Sequence, residues 1–222
     1  MESFRFDGVV VSVPMSILER LASPQGLRTQ EPNEEAAALC LESPELLEEI
    51  ATGLASRDAR LAGDCAEVMT KVGERRPEVT APYAEALVLA LGHKNGRVRW
   101  ESAHALALVA DRAAKVVEAA LPTLEGLVCN HDGVIVRDYA IDSIARWGTT
   151  APARASRAWE ILRDALTAWD GRHAHRILGH GAALVALQPR LVGELRDAAA
   201  SFVEDERAGT RKAAKALAKA LG

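Results

Sequence analysis

The stretch HDGVIVRDYAIDSIARWG, residues 131–148, sets Asp132, Arg137, Asp138 and Asp142 within one turn and the helix that follows it. Carboxylates this close together suit acid/base chemistry, or they suit a repeated scaffold in which a turn acid caps a helix. Recurrence decides between the two. Gly96, Gly133, Gly171 and Gly209 follow one another at intervals of 37, 38 and 38 residues, and Ala59 extends the series 37 residues upstream. A fixed period of this length marks stacked supersecondary units. The residues just before these marks are Asp58, Asn95, Asp132, Asp170 and Ala208. The first four carry side-chain oxygens able to accept a hydrogen bond from a first-turn amide, so each mark starts a helix.

Apolar residues then recur at helical spacing. The stripes are Leu61, Cys65, Val68 and Val72; Val98, Ala103, Leu106 and Val109; and Val136, Ala140, Ile144 and Trp147. Ile177, Leu178, Ala182 and Val185, and then Ala213, Leu217 and Leu221, fit more loosely, as a drifting unit and an end cap would. Ahead of each unit lies another apolar run opened by Pro44, Pro82, Pro122, Pro152 or Pro189, a residue tolerated in the first helical turn. A helical hairpin of this kind leaves an apolar face that only its neighbours can cover. The chain is therefore predicted to be all-α, a right-handed α-solenoid of about five helical hairpins over residues 43–222, with second helices on the inside of the curve.

GRVRWESAHALALVA (96–110) and DGVIVRDYAIDSIARWG (132–148) resemble the second helix of HEAT repeats, with the family's Asp/Asn, Val-Arg and spaced Ala/Leu pattern. The resemblance covers residues 43–222. It implies an armadillo-type array used as an adaptor or scaffold. It also implies a structural ladder of turn acids and helix arginines stacked between repeats, here Asp132 with Arg137, Asn95 with Arg99, and Asp170 with Arg176. Asn95 carries no charge, the arginine spacing drifts by a residue, and the last unit has Ala208 with Arg211, so the ladder departs from regularity.

Composition agrees with helices. The chain of 222 residues is 49% apolar but only 4% aromatic, which favours close-packed Ala/Leu helices over strands. A net charge of -4 gives no overall positive field to gather phosphate backbones, so nucleic acid is disfavoured as a partner. The charge is uneven: residues 1–56 hold ten acids and three bases. Cys40, Cys65 and Cys129 lack the short spacings of zinc or redox sites and read as core residues of a reducing compartment. With no signal-peptide pattern and no run of about 20 apolar residues, the expectation is a cytoplasmic protein that does not enter membranes.

Residues 1–42 fall outside the period and are expected to form an amino-terminal cap. FRFDGVVVSV suits a short hairpin about Asp7-Gly8 or a single extended segment, MSILERLAS a short helix, and PQGLRTQEPNEE a polar linker. A cap shields the first repeat, whereas a sheet edge offered to a partner is the sharper alternative.

Equivalent positions on successive second helices place Asp64 and Glu67, Trp100 and His104, Asp138 and Asp142, Arg176 and His180, and then Lys212, Lys215 and Lys219 on one inner floor. That floor suits a charged protein or peptide partner, with Trp100 as aromatic anchor and His104, Asp138, Asp142, Arg176 and His180 supplying polar specificity. The alternative is an ordinary solvated face. Nothing in the pattern supplies a closed pocket for acid/base work by the Asp138/Asp142 pair. His173, His175 and His180 lack the spacing of a metal site, and no metal or other cofactor is expected. Gly179 and Gly181 suit close helix packing, and GHKNGR (92–97) an inter-helix turn, rather than phosphate loops. The basic run RAGTRKAAKALAKALG suits a terminal cap or a surface for an acidic partner. The four tryptophans raise one other reading, a HEAT-like DNA-binding protein or alkylpurine DNA glycosylase. Trp147 falls on a core stripe and Trp159 on a first helix, however, leaving Trp100 and Trp169 for such a surface. The reading favoured is a non-catalytic protein-binding module, with a monomer favoured over an oligomer.

Overall fold

The computed structural model describes residues 3–6, 9–12, 15–131 and 133–222, with side chains from residue 15 onward. Two short strands, β1 (Ser3–Phe6) and β2 (Val9–Ser12), pair antiparallel with Ser3 opposite Ser12 and Phe6 opposite Val9. Twelve helices follow among the described residues: α1 (Glu31–Glu42), α2 (Leu47–Gly53), α3 (Ala59–Arg75), α4 (Pro77–Thr80), α5 (Ala84–Ala90), α6 (Gly96–Val109), α7 (Ala114–Asn130), α8 (Val134–Gly148), α9 (Pro152–Ala165), α10 (Ala174–Leu187), α11 (Val192–Ser201) and α12 (Ala208–Leu221). Five hairpins result, with α2, α5, α7, α9 and α11 as first helices and α3, α6, α8, α10 and α12 as second helices. Adjacent second helices pack along much of their length while successive first helices touch sparingly, so the second helices line the inner side of an α-solenoid. No described helix is long and apolar enough to cross a membrane.

The predicted stripes form the core. Cys65, Val68, Val72, Val98, Leu106, Val109, Ile144 and Ile177 have no exposed surface, and Trp147 is nearly buried. In α10 the stripe shifts by a residue: Gly181 and Leu184 turn inward, Ala182 is exposed, and Val185 is only half-buried. Gly181 is needed there, because a Cβ at that position would lie 2.7 Å from Leu217 Cδ2 and 3.0 Å from Leu195 Cδ2. Asp58 and Asn95 cap as expected, accepting from Arg60 N–H at 2.9 Å and Arg97 N–H at 2.8 Å. Asp132 lies outside the described residues. Asp170 caps no helix among the described residues: Trp169 and Asp170 sit in left-handed backbone (φ 54° and 55°), followed by Gly171 (φ 70°), and α10 starts only at Ala174.

Two predicted boundaries are corrected. Pro122 lies inside α7 instead of opening it, because Val117, Leu121, Leu124 and Val128 form a continuous buried stripe across it. Burial of that stripe offsets a proline cost of about 3 kcal/mol. Residues 31–35, expected in a linker, begin α1, which stacks on α3 and extends the inner row by one helix. MSILERLAS contains only one 3₁₀ turn, Leu18–Arg20, yet Ile17, Leu21 and Ala22 are buried. Glu49 bonds to the Ser16 hydroxyl, Asn33 Oδ1 accepts from Ala22 N–H at 3.1 Å, and Asp64 Oδ2 accepts from Ser23 N–H at 2.8 Å, pinning this segment to the array.

Two of the expected ladder pairs, Asn95 with Arg99 and Asp170 with Arg176, take a different form, while the pairing of Asp132 with Arg137 lies outside the described residues. Arg99, Arg137 and Arg211 each reach back six residues to a carbonyl of their own inter-helix turn, at His93 (2.9 Å), His131 (2.9 Å) and Asp205 (2.7 Å). The same three turn residues accept the amide two positions on through their side chains, from Asn95, Gly133 and Arg207. Arg99 thus stitches its own turn and leaves Asn95 to cap α6. Arg176 ignores Asp170 and turns to the carboxylates of α8.

Candidate functional site

The inner surface carries two polar nodes, each spanning neighbouring second helices. In the first, Asp64 and Glu67 of α3, expected on an open floor, are 1% and 3% exposed. Buried carboxylates need partners, and these have them. Asn33 Nδ2 donates to Asp64 Oδ1 (3.1 Å) and to Glu67 Oε2 (2.8 Å). Arg97 bridges the same pair at 2.9 and 2.6 Å, and Lys71 adds an ion pair to Glu67 at 3.4 Å. One turn on, Thr70 donates to Glu101 of α6, whose carboxyl burial pushes up to about 7.

The second node joins α6, α8 and α10 and gathers most of the predicted binding residues. His104 stacks on Tyr139 with ring centroids 4.2 Å apart and planes 10° from parallel, and Arg176 lies 5.4 Å from the Tyr139 ring. Arg176 pairs with Asp138 (3.3 Å) and with Asp142, and His180 Nε2 lies 2.9 Å from Asp142 Oδ1. Behind them, Arg137 Nε–H donates to His173 Nε2 at 2.9 Å. The His173 proton therefore sits on Nδ1 and is donated to Asp138 Oδ1 at 2.7 Å. Burial holds the pKa of His173 down despite Asp138, and burial does the same for His104. Arg137 also packs over the Trp169 ring at 3.7 Å, while Trp169 Nε1 donates to Val128 O at 3.1 Å. Asp138 and Asp142 are thus both held by cations or imidazoles, an arrangement that orients these side chains. Among the described residues no group of three His, Cys, Asp or Glu is placed to hold a metal.

What the inner face offers to solvent is more apolar than the sequence suggests. Trp100 is half-buried against the core, four residues from His104 on the same helix face. Ile135 is 52% exposed and shares a face of α8 with Tyr139, Asp142 and Arg146. Ile135 and Tyr139 were not among the residues predicted for the site. Their i, i+4 spacing was the available signal, obscured because Val136 and Ala140 carry the stronger core stripe. On α10, Gly179 opens into free space beside Arg176 and His180, with nothing within 4 Å of an added Cβ. The lysines of α12 stand exposed at the far end, Lys215 paired with Glu204 at 3.6 Å. Trp147 and Trp159 are 2% and 1% exposed and pack in the core, with the Trp159 indole N–H donating to Glu194 at 2.9 Å.

No family model matches the chain, and no curated protein sequence does. Solved structures match over nearly its whole length. A designed armadillo repeat protein in complex with the peptide (KR)4 superposes with a TM-score of 0.68 at 14% identity, covering 93% of this chain and 98% of that one. An engineered protein gives 0.63 at 20% identity, covering 93% and 99%. The archaeal HEAT-like repeats protein from Thermococcus onnurineus NA1 gives 0.55 at 14% identity, covering 95% and 98%. The chain has the HEAT/armadillo repeat fold. At these identities the likeness concerns the fold, and the inner-face chemistry has to be argued from this chain's own side chains.

Proposed function

We propose that this chain is a non-catalytic protein- or peptide-binding module, acting as an adaptor, scaffold, inhibitor or assembly factor through its inner second-helix surface. One observation carries the reading: an exposed apolar residue, Ile135, lies one helical turn before Tyr139 of the His104–Tyr139 stack, and Arg176, paired with Asp142, flanks that stack. An apolar and aromatic centre with a charged rim is the anatomy of a binding patch. Because Arg176 is already held by two carboxylates, it meets a partner with little further loss of side-chain freedom. A similar fold binds a peptide in the designed armadillo complex, which supports a peptide or protein as partner. Cys40, Cys65 and Cys129 are all unpaired, which suits work in a reducing compartment such as the cytoplasm.

The test is a random-peptide display selection on the wild-type chain, with the selected peptides then measured on Gly179→Glu and Ile135→Ser. Glutamate at 179 extends into open space beside Arg176, so it obstructs the groove without disturbing the core. Peptides that lose at least tenfold in affinity on both variants support the inner surface. Peptides that bind all three proteins equally overturn it.

A further inference from the structure

A cavity of about 440 Å³ opens between the segment preceding α1 and the amino-terminal ends of α3 and α6. Its lining includes Arg28, Arg60, Arg97, Thr29, Gln30 and Asp64. Three guanidiniums face Asp64, with Glu67 behind Arg97, and Asp64 is fully engaged: its Oδ1 accepts from Asn33 and Arg97, and its Oδ2 accepts from Ser23 N–H. Arg97 is fixed by Asp64 and Glu67, yet its side chain remains 39% exposed. Arg60 makes one long bond, 3.4 Å to Leu27 O, and Arg28 has no hydrogen bond or ion pair among the described residues. Two guanidiniums in one cavity therefore have donors to spare beside a third held in place. One wall of the cavity, residues 22–30, belongs to the acidic segment 1–56, which holds ten acids and three bases, while Arg60 and Arg97 come from α3 and α6. Guanidinium forks match a tetrahedral oxyanion in bidentate fashion, and several of them favour a dianion over a carboxylate.

We propose that this cavity binds the phosphate of a phosphorylated serine or threonine in a peptide whose flanking residues continue along the inner row. Arg28 and Arg60 close on the phosphate from the cap side and from α3, Arg97 meets it from α6, and Thr29 and Gln30 add neutral polar groups. The volume exceeds what a phosphate alone fills and leaves room for the side chain that carries it. The proposal rests on the inner-surface reading for the course of the peptide, but not for the anion site itself.

The experiment measures binding of a degenerate phosphoserine peptide pool and of the matched serine pool by fluorescence anisotropy. Proteins compared are the wild type, Arg28→Gln/Arg60→Gln and Gly179→Glu, with inorganic phosphate and sulfate as competitors. The expected result is at least a tenfold preference for the phosphorylated pool, lost at least tenfold in the arginine variant and competed by phosphate. Both arginines are exposed, so the variant keeps the fold, checked by circular dichroism. Equal binding of the two pools, or full binding by the arginine variant, overturns the proposal. Occupancy by inorganic phosphate without any preference for the phosphopeptide overturns the peptide assignment. If phosphopeptide binding needs Arg28 and Arg60 but is untouched by Gly179→Glu, the anion site stands and the inner-surface course of the peptide falls.

Discussion

Replacing Glu101 by glutamine is predicted to stabilise the protein at high pH while leaving it unchanged near pH 4.5. Glu101 is 5% exposed between α3 and α6, and burial raises its pKa from 4.5 to about 7, against the hydrogen bond from Thr70 that favours the carboxylate. Between those two pH values the folded chain keeps a proton that the unfolded chain has lost. Stability is therefore full below about 4.5, falls as the pH rises towards 7 and is level above it. The span from 4.5 to about 7, at about 1.36 kcal/mol per pH unit, corresponds to about 3 kcal/mol. Glutamine has the same shape, keeps an acceptor oxygen for Thr70 and cannot ionise. At pH 8 Glu101→Gln should exceed the wild type by about 3 kcal/mol, or about 6–12 °C in Tm for a chain of this size. Urea denaturation followed by circular dichroism at pH 5, 6, 7 and 8 provides the test. If the two stability curves run parallel across that range, Glu101 does not carry a buried charge cost and the packing of α3 on α6 has been misjudged.

Gly181→Ala should cost about 1–3 kcal/mol, because its Cβ would press on Leu217 and Leu195, whereas Gly179→Ala should gain about 0.5–1 kcal/mol by helix propensity alone; thermal melts of the pair give opposite signs. Arg137→Ala should destabilise by about 3–5 kcal/mol, since it removes a 2% exposed cation that holds the His131 turn, His173 and the Trp169 ring together. Equilibrium unfolding measures that loss, and Trp169 fluorescence should change in the folded variant. Burial pushes the Cys40 and Cys65 thiols up to about 11 and about 12, while Cys129 is exposed. A disulfide reagent at pH 8 should label one thiol rapidly and the other two only on unfolding.

The repeat was legible because its signals are local. A side-chain oxygen before a helix start and an apolar stripe at helical spacing need no knowledge of neighbours, and Asp58, Asn95, Leu106 and Ile144 behave as their positions suggest. Features decided between repeats were not legible. Asp64 and Glu67 look like surface acids on their own helix, and only Asn33 and Arg97 arriving from either side make their burial tolerable. Arg176 chose the α8 carboxylates over Asp170 because the left-handed turn at Trp169–Asp170 delays α10. Pro122 signals a helix start by propensity alone, while the buried stripe on both sides of it carries α7 through. Residues 31–35 read as linker by their polarity, although Pro32 at the start of α1 is itself a helix-opening signal. Within the candidate site, the charged members were visible as equivalent positions, but Ile135 and Tyr139 emerge only once α8 is set against α6 and its core face is known.

The most direct test of the inner-surface account is hydrogen–deuterium exchange of the full chain, free and saturated with a peptide selected on the wild-type protein. New protection is expected in α6, α8 and α10, centred on the segments holding His104, Tyr139 and Arg176, with the first helices α5, α7 and α9 unchanged. Protection confined to the first helices, or to the strands β1 and β2, would contradict it.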